Sequence, residues 1–297
     1  MKKVAVIGGG TMGNGIAHVF AMSGIQTNLI DISPDVLSKA LATIEKNLTR
    51  MVEKGKITDA IKGSTISNLN TFTKIEDGVR ECELVVEAVS EKEDLKLTIF
   101  RSLDQYCLPE AILASNTSSI PITKIASVTK RPEKVIGMHF MNPVPVMQLV
   151  EVIRGYSTTD EVTKTIMELS RKLGKVPVEV NDYPGFISNR ILMPMINEAI
   201  CSLHEGVAGV QEIDTVMKLG MAHPMGPLQL ADFIGLDVCL SIMQVLYEGF
   251  GNSKYAPCPL LVNMVAAGHL GVKSGNGFYS WNKNSKEPVV SDRFKKS

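Results

Sequence analysis

The chain has 297 residues, which is enough for two ordinary domains and a large buried core. Hydrophobic residues make up 44% and charged residues 21%, a composition typical of a globular protein and not of a disordered one. With 31 basic and 31 acidic residues the formal net charge is zero, so nothing in the composition indicates a nucleic-acid or anionic-membrane partner.

The first thirty residues could be mistaken for a signal peptide or a membrane helix. Residues 4–30 contain no Asp, Glu, Lys or Arg. However, the continuous apolar run ends at Ile7, where three glycines follow, and a membrane-spanning helix needs roughly 20 largely apolar residues. We therefore predict a strand, a turn and a helix here, and no membrane partner.

Strand-length apolar runs alternate with longer helical patterns over the first 180 residues. Ser33 and Pro34 suit the N-cap and first position of a long helix that we expect to end near Gly55. The other predicted helices cover residues 11–23 and 92–107, and the predicted strands cover 4–7, 27–30, 84–89, 111–115, 135–139, 149–153 and 176–180. This alternation predicts an α/β fold, a Rossmann-type, mainly parallel sheet with helices on both faces.

The turn cluster at residues 181–185 (NDYPG) predicts a domain junction. Beyond it we predict helices at residues 186–205, 210–219 and about 228–250. Because these segments are rich in Leu, Ile and Met, each needs a partner surface. We therefore predict a Rossmann domain of residues 1–183 and a smaller all-α domain of residues 184–297 that also forms a homodimer, with residues 283–297 as a loose tail.

A glycine motif follows the first predicted strand and opens the first helix. Its form is GxGxxG, from Gly8 through Gly10, Thr11 and Met12 to Gly13. The first glycine allows a tight turn, the second lets a pyrophosphate approach the backbone, and the third allows close helix–strand packing. The helix N-terminus beginning at Thr11 supplies N–H groups to phosphates.

Asp31 ends the second predicted strand, where a carboxylate accepts hydrogen bonds from an adenosine ribose and repels a 2′-phosphate. The sequence therefore predicts NAD and not NADP as the cofactor. The alternative is that the glycines only make a tight turn and that Asp31 only caps a loop.

Four polar residues are candidates for the reacting site: Ser118, His139, Glu151 and Asn189. Ser118 lies just beyond one predicted strand and His139 ends another, and the carboxyl ends of these strands should meet at one edge of the sheet, where open α/β folds bind ligands. Oxidation of a secondary alcohol requires removal of a hydroxyl proton, which suits histidine, and a carboxylate such as Glu151 can orient the ring. A single histidine at a strand end is, however, more often structural.

Longer motifs resemble the L-3-hydroxyacyl-CoA dehydrogenase family. They are Gly137-Met-His139-Phe-Met-Asn142-Pro-Val-Pro-Val-Met-Gln-Leu-Val-Glu151, Asp182-Tyr-Pro-Gly185-Phe-Ile-Ser-Asn189-Arg190, Ser115-Asn116-Thr-Ser118-Ser, Gly226-Pro-Leu-Gln-Leu-Ala-Asp232 and Lys273-Ser-Gly-Asn-Gly277-Phe-Tyr. The resemblance extends from Val4 to about Trp281. It implies an NAD-dependent enzyme that interconverts an L-3-hydroxyacyl-CoA and a 3-ketoacyl-CoA, with a short-chain substrate expected.

The resemblance also implies a role for each candidate residue. His139 would be the general base and Glu151 its partner, while Ser118 and Asn189 would bind the substrate. Glu91 and Lys96 would contact the cofactor, and Asn116 would lie beside the nicotinamide.

A basic stripe could bind the phosphates of coenzyme A. Lys46, Arg50 and Lys54 recur every four residues on one predicted helix, although nearby Glu45 and Glu53 leave open that this is only a solvated face. The family uses this region for the nucleotide. The five scattered cysteines contain no CxxC pair and the histidines have no HExxH spacing, so we expect reduced thiols in the cytoplasm and no metal site.

Two other functions remain open at this point. One is a related dehydrogenase that acts on a free hydroxy or sugar acid, such as L-gulonate. The other is a non-catalytic protein similar to the lens crystallin of this family, although the presence of all four reacting-site candidates argues against a purely structural role.

Overall fold

The structure, a computed structural model, describes residues 1–282 and 289–295. The chain folds into two compact units, Met1–Tyr183 and Pro184–Ser297. Each unit has its own hydrophobic core.

The first unit alternates strands and helices. In chain order these are β1 (Lys3–Ile7), α1 (Thr11–Met22), β2 (Gln26–Ile30), α2 (Pro34–Glu53), α3 (Asp59–Ser67), β3 (Leu69–Phe72), α4 (Ile75–Val79), β4 (Leu84–Glu87), α5 (Glu93–Tyr106), β5 (Ile112–Ser115), α6 (Ile122–Ala126), β6 (Val135–Phe140), β7 (Leu149–Arg154), α7 (Asp160–Lys172) and β8 (Val176–Asn181). The long elements follow the predicted pattern, whereas β3, α3, α4, α6 and α7 were not predicted.

The strands form one sheet in the order β3-β2-β1-β4-β5-β6-β7-β8. From β3 to β6 every neighbouring pair is parallel, which confirms the predicted Rossmann-type, mainly parallel sheet. The chain reverses its direction of travel across the sheet between β1 and β4, and such a reversal opens a crevice at the carboxyl ends of the strands.

The last two strands run the other way. β7 pairs antiparallel with β6 through a hairpin, and β8 then pairs parallel with β7. The apolar runs predicted these strands but carried no information about their direction, because a buried strand has the same composition in either orientation. β8 is the outer edge of the sheet, and Val176 and Val178 are exposed there.

Local sequence explains where the longest helix begins and which face it buries. The Ser33 side chain accepts a hydrogen bond from the Val36 amide, and Pro34 occupies the first helical position of α2, as predicted. The buried residues of α2 recur at helical spacing: Leu37, Ala40, Ile44 and Leu48. Burial of each large aliphatic side chain contributes about 1.5–3 kcal/mol, so this stripe holds the helix on the sheet.

The second unit is mainly helical. It contains α8 (Ser188–His204), α9 (Val210–Thr215), a π-helical segment (Val216–Gly220), α10 (Pro227–Ile234), α11 (Leu236–Phe250), α12 (Pro259–Ala266) and a small antiparallel pair, β9 (Tyr279–Ser280) and β10 (Val289–Val290). The prediction of one continuous helix over residues 228–250 is wrong. Gly235 has a φ of +102°, which a helix cannot accommodate, so the chain bends between α10 and α11.

Within the described residues, no single helix is long and apolar enough to cross a membrane. The one pair of helices that passes the same length and composition test together, α10 and α11, is bent by 97°.

Two of the sequence motifs meet inside the second unit. The Asp232 carboxylate accepts hydrogen bonds from the amides of Phe278 and Tyr279 and from the Trp281 indole, at 2.9–3.0 Å. A Cβ on Gly277 would lie 1.9 Å from an Asp232 carboxylate oxygen, so only glycine fits there. Burial raises the pKa of Asp232 to about 6, against the hydrogen bonds that lower it. These motifs therefore stabilise the fold of the unit.

The expectation of a loose C-terminal tail is wrong for residues 289–295. Val289 and Val290 pair with Tyr279 and Ser280, and the Phe294 ring lies 5.7 Å from that of Phe278. The remainder of the predicted tail, residues 283–288 and 296–297, lies outside the described residues.

His18 is a fully buried histidine on α1, and neither of its ring nitrogens has a hydrogen-bond partner among the described residues. Burial, aided by the nearby Lys175 ammonium, lowers the pKa of His18 to about 4 from 6.5. The unfolded chain therefore binds this proton more tightly, and the linked stability is present above pH 6.5 and lost as the pH falls towards 4.

His18 should lower the unfolding free energy of the wild type by about 3 kcal/mol between pH 6.5 and 4, and we predict that His18→Met abolishes this part of the pH dependence. Urea unfolding at several pH values measures it. The matched control is His204→Met, because His204 is exposed and its replacement should leave the pH dependence unchanged. An unaltered pH dependence in His18→Met would show that this ring is not the group responsible.

Candidate active site

The glycine motif forms a tight turn between β1 and α1. Gly8 has a φ of +103°, and a Cβ on it would lie 2.7 Å from the Ala88 carbonyl oxygen at the end of β4. A Cβ on Gly13 would lie 1.7 Å from the Gly8 oxygen, so the helix can approach the strand only with glycine there. No atom of the described residues lies within 4 Å of a Cβ built on Gly10, which leaves space for a ligand at the helix N-terminus.

Asp31 joins this turn to the start of α2. Its Oδ2 accepts a hydrogen bond from the Gly9 amide at 2.8 Å, and its Oδ1 accepts one from the Ser33 amide at 3.0 Å. The carboxylate therefore caps a loop, as the alternative interpretation held. It also lines a cavity of about 750 Å³ beside Gly8 and Gly10.

The cavity is mostly apolar and lies at the β1–β4 switch point. Its walls come from the ends of β1, β2 and β4 and from helices α2 and α5. Among the lining residues are Ile7, Ile30, Ile32, Val36, Ala88, Val89, Leu95, Ile99 and Tyr106. An apolar slot with one carboxylate beside a glycine-lined helix N-terminus fits the adenosine and pyrophosphate of NAD.

His139 and Glu151 form a hydrogen-bonded pair. The His139 Nδ1 lies 2.8 Å from Glu151 Oε2, and the two residues are directly opposite in the β6–β7 ladder. Glu151 is almost completely buried and His139 is largely so. Because an ionised carboxylate only accepts hydrogen bonds, Nδ1 carries the proton in the neutral ring and Nε2 carries the lone pair. The antiparallel direction of β7 is what places Glu151 at this edge.

Helix α1 packs against the hairpin that holds this pair. The Phe20 ring lies 6.5 Å from the Phe140 ring in an edge-on contact, and a Cβ on Gly15 would lie 2.9 Å from the Val144 Cβ. The same close packing that brings α1 to the glycine turn therefore brings it to the strand that carries His139.

The loop after β5 is held by two further residues. Asn116 Oδ1 accepts a hydrogen bond from the Phe140 amide at 2.8 Å, which ties the loop to the residue after His139. Glu91 Oε1 accepts hydrogen bonds from the Ser118 amide at 2.8 Å and from the Thr117 hydroxyl at 2.6 Å. Burial alone would raise the pKa of Glu91, but Lys96 and these hydrogen bonds outweigh it and hold the pKa below its ordinary value.

Sequence reasoning missed Glu87, which ends β4. It is fully buried and accepts hydrogen bonds from Lys96 and Ser115 at 2.7 and 2.6 Å. The signal was available, since a carboxylate in an otherwise apolar strand is the feature that singled out Glu151. Lys96, the predicted cofactor contact, is 1% exposed, and its ammonium lies beside both Glu87 and Glu91.

The remaining predicted site residues lie apart from this edge or in the other unit. Asn189 belongs to the second unit, where it is buried in the first turn of α8. Lys46 and Arg50 are exposed on α2, and Lys54 is its exposed C-cap residue.

Comparison with known proteins agrees with this geometry. Residues 3–183 match the NAD-binding domain of 3-hydroxyacyl-CoA dehydrogenase, and residues 185–281 match its C-terminal domain. The chain belongs to the 3-hydroxyacyl-CoA dehydrogenase family. The matched domain confirms that NAD is the cofactor, in agreement with the glycine turn and the cavity.

Members of this family align with nearly the whole chain. A probable 3-hydroxybutyryl-CoA dehydrogenase of Bacillus subtilis is 53% identical over 285 residues, which cover 96% of this chain and 99% of the relative. The 3-hydroxybutyryl-CoA dehydrogenase of Bradyrhizobium diazoefficiens is 55% identical, and the match covers 95% of this chain and 96% of the relative. The crystal structure of (S)-3-hydroxybutyryl-CoA dehydrogenase from Ralstonia eutropha superimposes with a TM-score of 0.93 at 48% identity, over 95% of this chain and 100% of that one.

We predict that Asp31→Ser lowers kcat/KM for NADH by about tenfold and narrows the preference for NADH over NADPH. A hydrogen-bonded charge is lost, and the repulsion of a 2′-phosphate is lost with it. Steady-state kinetics with both cofactors measure the change.

Asp31→Asn is the matched variant, because its amide oxygen still accepts from one of the two loop amides, Gly9 or Ser33, while the charge is gone. Asp31→Asn should narrow the preference for NADH over NADPH, with a smaller loss of kcat/KM for NADH than Asp31→Ser causes. Equal kcat/KM values in wild type and both variants would mean that Asp31 only caps the loop.

Proposed function

We propose that this protein interconverts a short-chain L-3-hydroxyacyl-CoA and the corresponding 3-ketoacyl-CoA with NAD, 3-hydroxybutyryl-CoA and acetoacetyl-CoA being the expected pair. The observation that carries the proposal is the His139–Glu151 pair at the carboxyl edge of an NAD-binding sheet. The names of the relatives, 3-hydroxybutyryl-CoA dehydrogenases, support the substrate class.

In this proposal His139 moves the proton of the reacting hydroxyl group. Its Nε2 takes the proton from the C3 hydroxyl during oxidation and returns it during reduction. Glu151 does not touch the substrate; its carboxylate orients the ring and stabilises the imidazolium that forms. The burial of Glu151 strengthens this effect, because the attraction between two opposite charges is stronger in a poorly solvated site than in water.

NAD, when bound, accepts the hydride during oxidation, and its reduced form donates one during reduction. The Gly8–Gly13 turn and the N-terminus of α1 would hold its pyrophosphate, and Asp31 its adenosine ribose. Glu91 and Asn116 would lie near its nicotinamide half, because both residues follow strands at the same edge. Ser118 and Asn189 would orient the oxygen at C3 of the substrate.

We also propose that the protein is a cytoplasmic homodimer that associates through its second unit. That unit exposes several large apolar side chains, such as Ile191, Leu219, Met221 and Phe233, and such exposure favours an interface. The five cysteines are all free thiols, which favours a reducing compartment. Sedimentation equilibrium tests the dimer, since a particle of 32.3 kDa would contradict it.

The function is tested by initial rates with NADH and acetoacetyl-CoA, beside free acetoacetate with NADH and L-gulonate with NAD. Turnover of the thioester alone supports the proposal. Preference for a free acid would support the related dehydrogenase, and no turnover of any substrate would support a non-catalytic role.

For the catalytic pair we predict that His139→Gln lowers kcat by ~10²–10⁴-fold, the usual contribution of general acid–base catalysis. Glu151→Gln should cost on the order of tenfold or more, because it can no longer stabilise the imidazolium. Since both residues serve one proton transfer, the double variant should be little slower than His139→Gln alone.

The measurement is a double-mutant cycle on kcat with acetoacetyl-CoA and NADH. Fluorescence titration with NADH is the control, because the glycine turn is separate from this pair and binding should survive. Losses that multiply fully would show that the two residues act independently.

For the basic stripe we predict that Arg50→Glu with Lys54→Glu raises KM for acyl-CoA roughly five- to tenfold at low ionic strength, with little change in KM for NADH. Two exposed attractions to phosphate become repulsions, each of modest size and screened by salt. The matched control is Arg171→Glu with Lys172→Glu, which makes the same charge change on the exposed end of α7. Equal KM values for acyl-CoA in the two double variants would leave the stripe as a solvated helix face.

A further inference from the structure

The carboxylate of Glu87 joins three elements of the first unit. Its Oε1 accepts hydrogen bonds from the Lys96 ammonium on α5 and from the Val89 amide, both at 2.7 Å. Its Oε2 accepts one from the Ser115 hydroxyl at the end of β5, at 2.6 Å. Glu87 is 0% exposed. It therefore cannot touch a ligand in the crevice, and any effect it has on a reaction must pass through these neighbours.

The Lys96 ammonium is surrounded by protein acceptors. It lies 2.7 Å from Glu87 Oε1, 3.2 Å from Glu91 Oε2 and 3.3 Å from the Val89 carbonyl oxygen. An ammonium has three hydrogens, and three acceptors are within reach. The position of Lys96 is therefore set between two carboxylates, one buried and one nearer the surface.

Glu91 links Lys96 to the loop after β5. While Oε2 faces Lys96, Oε1 accepts hydrogen bonds from both the amide and the hydroxyl of Ser118, at 2.8 and 3.2 Å. The same oxygen accepts from the Ser119 amide and hydroxyl, at 3.1 and 3.0 Å, and from the Thr117 hydroxyl. One carboxylate oxygen thus orders three consecutive residues, and the lysine on its other side orients that carboxylate.

We propose that Glu87 is a positioning residue for the dehydrogenase reaction, acting through Lys96 and Glu91 to hold Ser118 in its productive place. The proposal rests on the proposed function, in which Ser118 binds the substrate. Without the Glu87 charge, the Lys96 ammonium loses its deepest partner and moves towards Glu91. Glu91 would then turn, and the Ser118 loop would move with it. Misplacement of a substrate-binding group by about 1 Å can cost on the order of a hundredfold in rate.

The central variant is Glu87→Gln, which keeps the shape of the side chain and removes its charge. We expect kcat with acetoacetyl-CoA and NADH to fall ~10–100-fold. We also expect hydrogen exchange at the Ser118 and Ser119 amides to become about tenfold faster, because those amides donate to Glu91, while exchange in β1 stays unchanged.

Asp104→Asn is the matched control. Asp104 on α5 forms an ion pair with Arg131 at 2.9 Å, and both side chains are largely buried. Its carboxylate also accepts a hydrogen bond from the Lys130 amide, so it holds a segment other than the Ser118 loop. Its replacement removes one carboxylate charge from an ion pair of the first unit, as Glu87→Gln does. It should lower stability without changing kcat or the exchange of the Ser118 amide.

A second variant separates positioning from folding. Glu87→Gln combined with Lys96→Met removes both charges, and replacement of a whole buried ion pair is often neutral for stability, whereas loss of one partner is not. We expect the double variant to regain part of the stability that Glu87→Gln loses, because Glu91 still lacks its lysine partner, and to keep the low kcat and the fast Ser118 exchange. If kcat of the double variant rose to the wild-type value together with its stability, the proposal would be overturned, because the ion pair would then serve folding alone.

The outcomes distinguish this proposal from the proposed function. Absence of thioester turnover in the wild type would contradict the function, and the exchange measurement would still decide whether Glu87 orders the loop. Normal turnover in the wild type, with kcat within about twofold and unchanged Ser118 exchange in Glu87→Gln, would overturn the positioning role alone.

Discussion

One row of backbone partners crosses the sheet near its carboxyl edge, and the site depends on it. Ile7 of β1 pairs with Glu87 of β4, Glu87 with Ser115 of β5, and Ser115 with Gly137 of β6. Parallel hydrogen bonding leaves little freedom in this register, because each strand is buried on both faces and a shift of one residue would turn its side chains over. The glycine turn, the Ser118 loop and His139 follow this row within a few residues, and so they share one edge.

The charged groups at this edge are buried, and hydrogen-bonded partners rather than water stabilise them. Glu151 faces His139, and Glu87 faces Lys96, each within a hydrogen bond of its partner. An unpaired charge at such depth would cost several kcal/mol, so each pair restricts where its members can be. The apolar strands behind them supply rigidity, so the polar cluster is carried by rigid elements of the sheet.

The second unit also contains buried carboxylates with several hydrogen-bond partners, and there they stabilise the fold. Asp232 binds the amides of Phe278 and Tyr279, and Asp214 accepts hydrogen bonds from the Leu228 amide and the Tyr279 hydroxyl. Two motifs that resemble the family are thereby explained without any role in the reaction. A buried carboxylate is thus evidence of a constrained position, and its partners decide whether the constraint serves the reaction or the fold.

Local sequence determined much of this protein. Hydrophobic periodicity, the Ser33 cap and the glycine turn act between residues close in the chain, so they predicted the long elements, the parallel sheet and the cofactor turn. The long motifs around His139 and Asn189 indicated the family. What only the tertiary structure decided depends on distant residues: the antiparallel return of β7, which brings Glu151 opposite His139, and the pairing of β10 with β9. The role of Glu87 belongs with these, because an apolar strand shows that a carboxylate is buried but not which distant lysine or serine satisfies it.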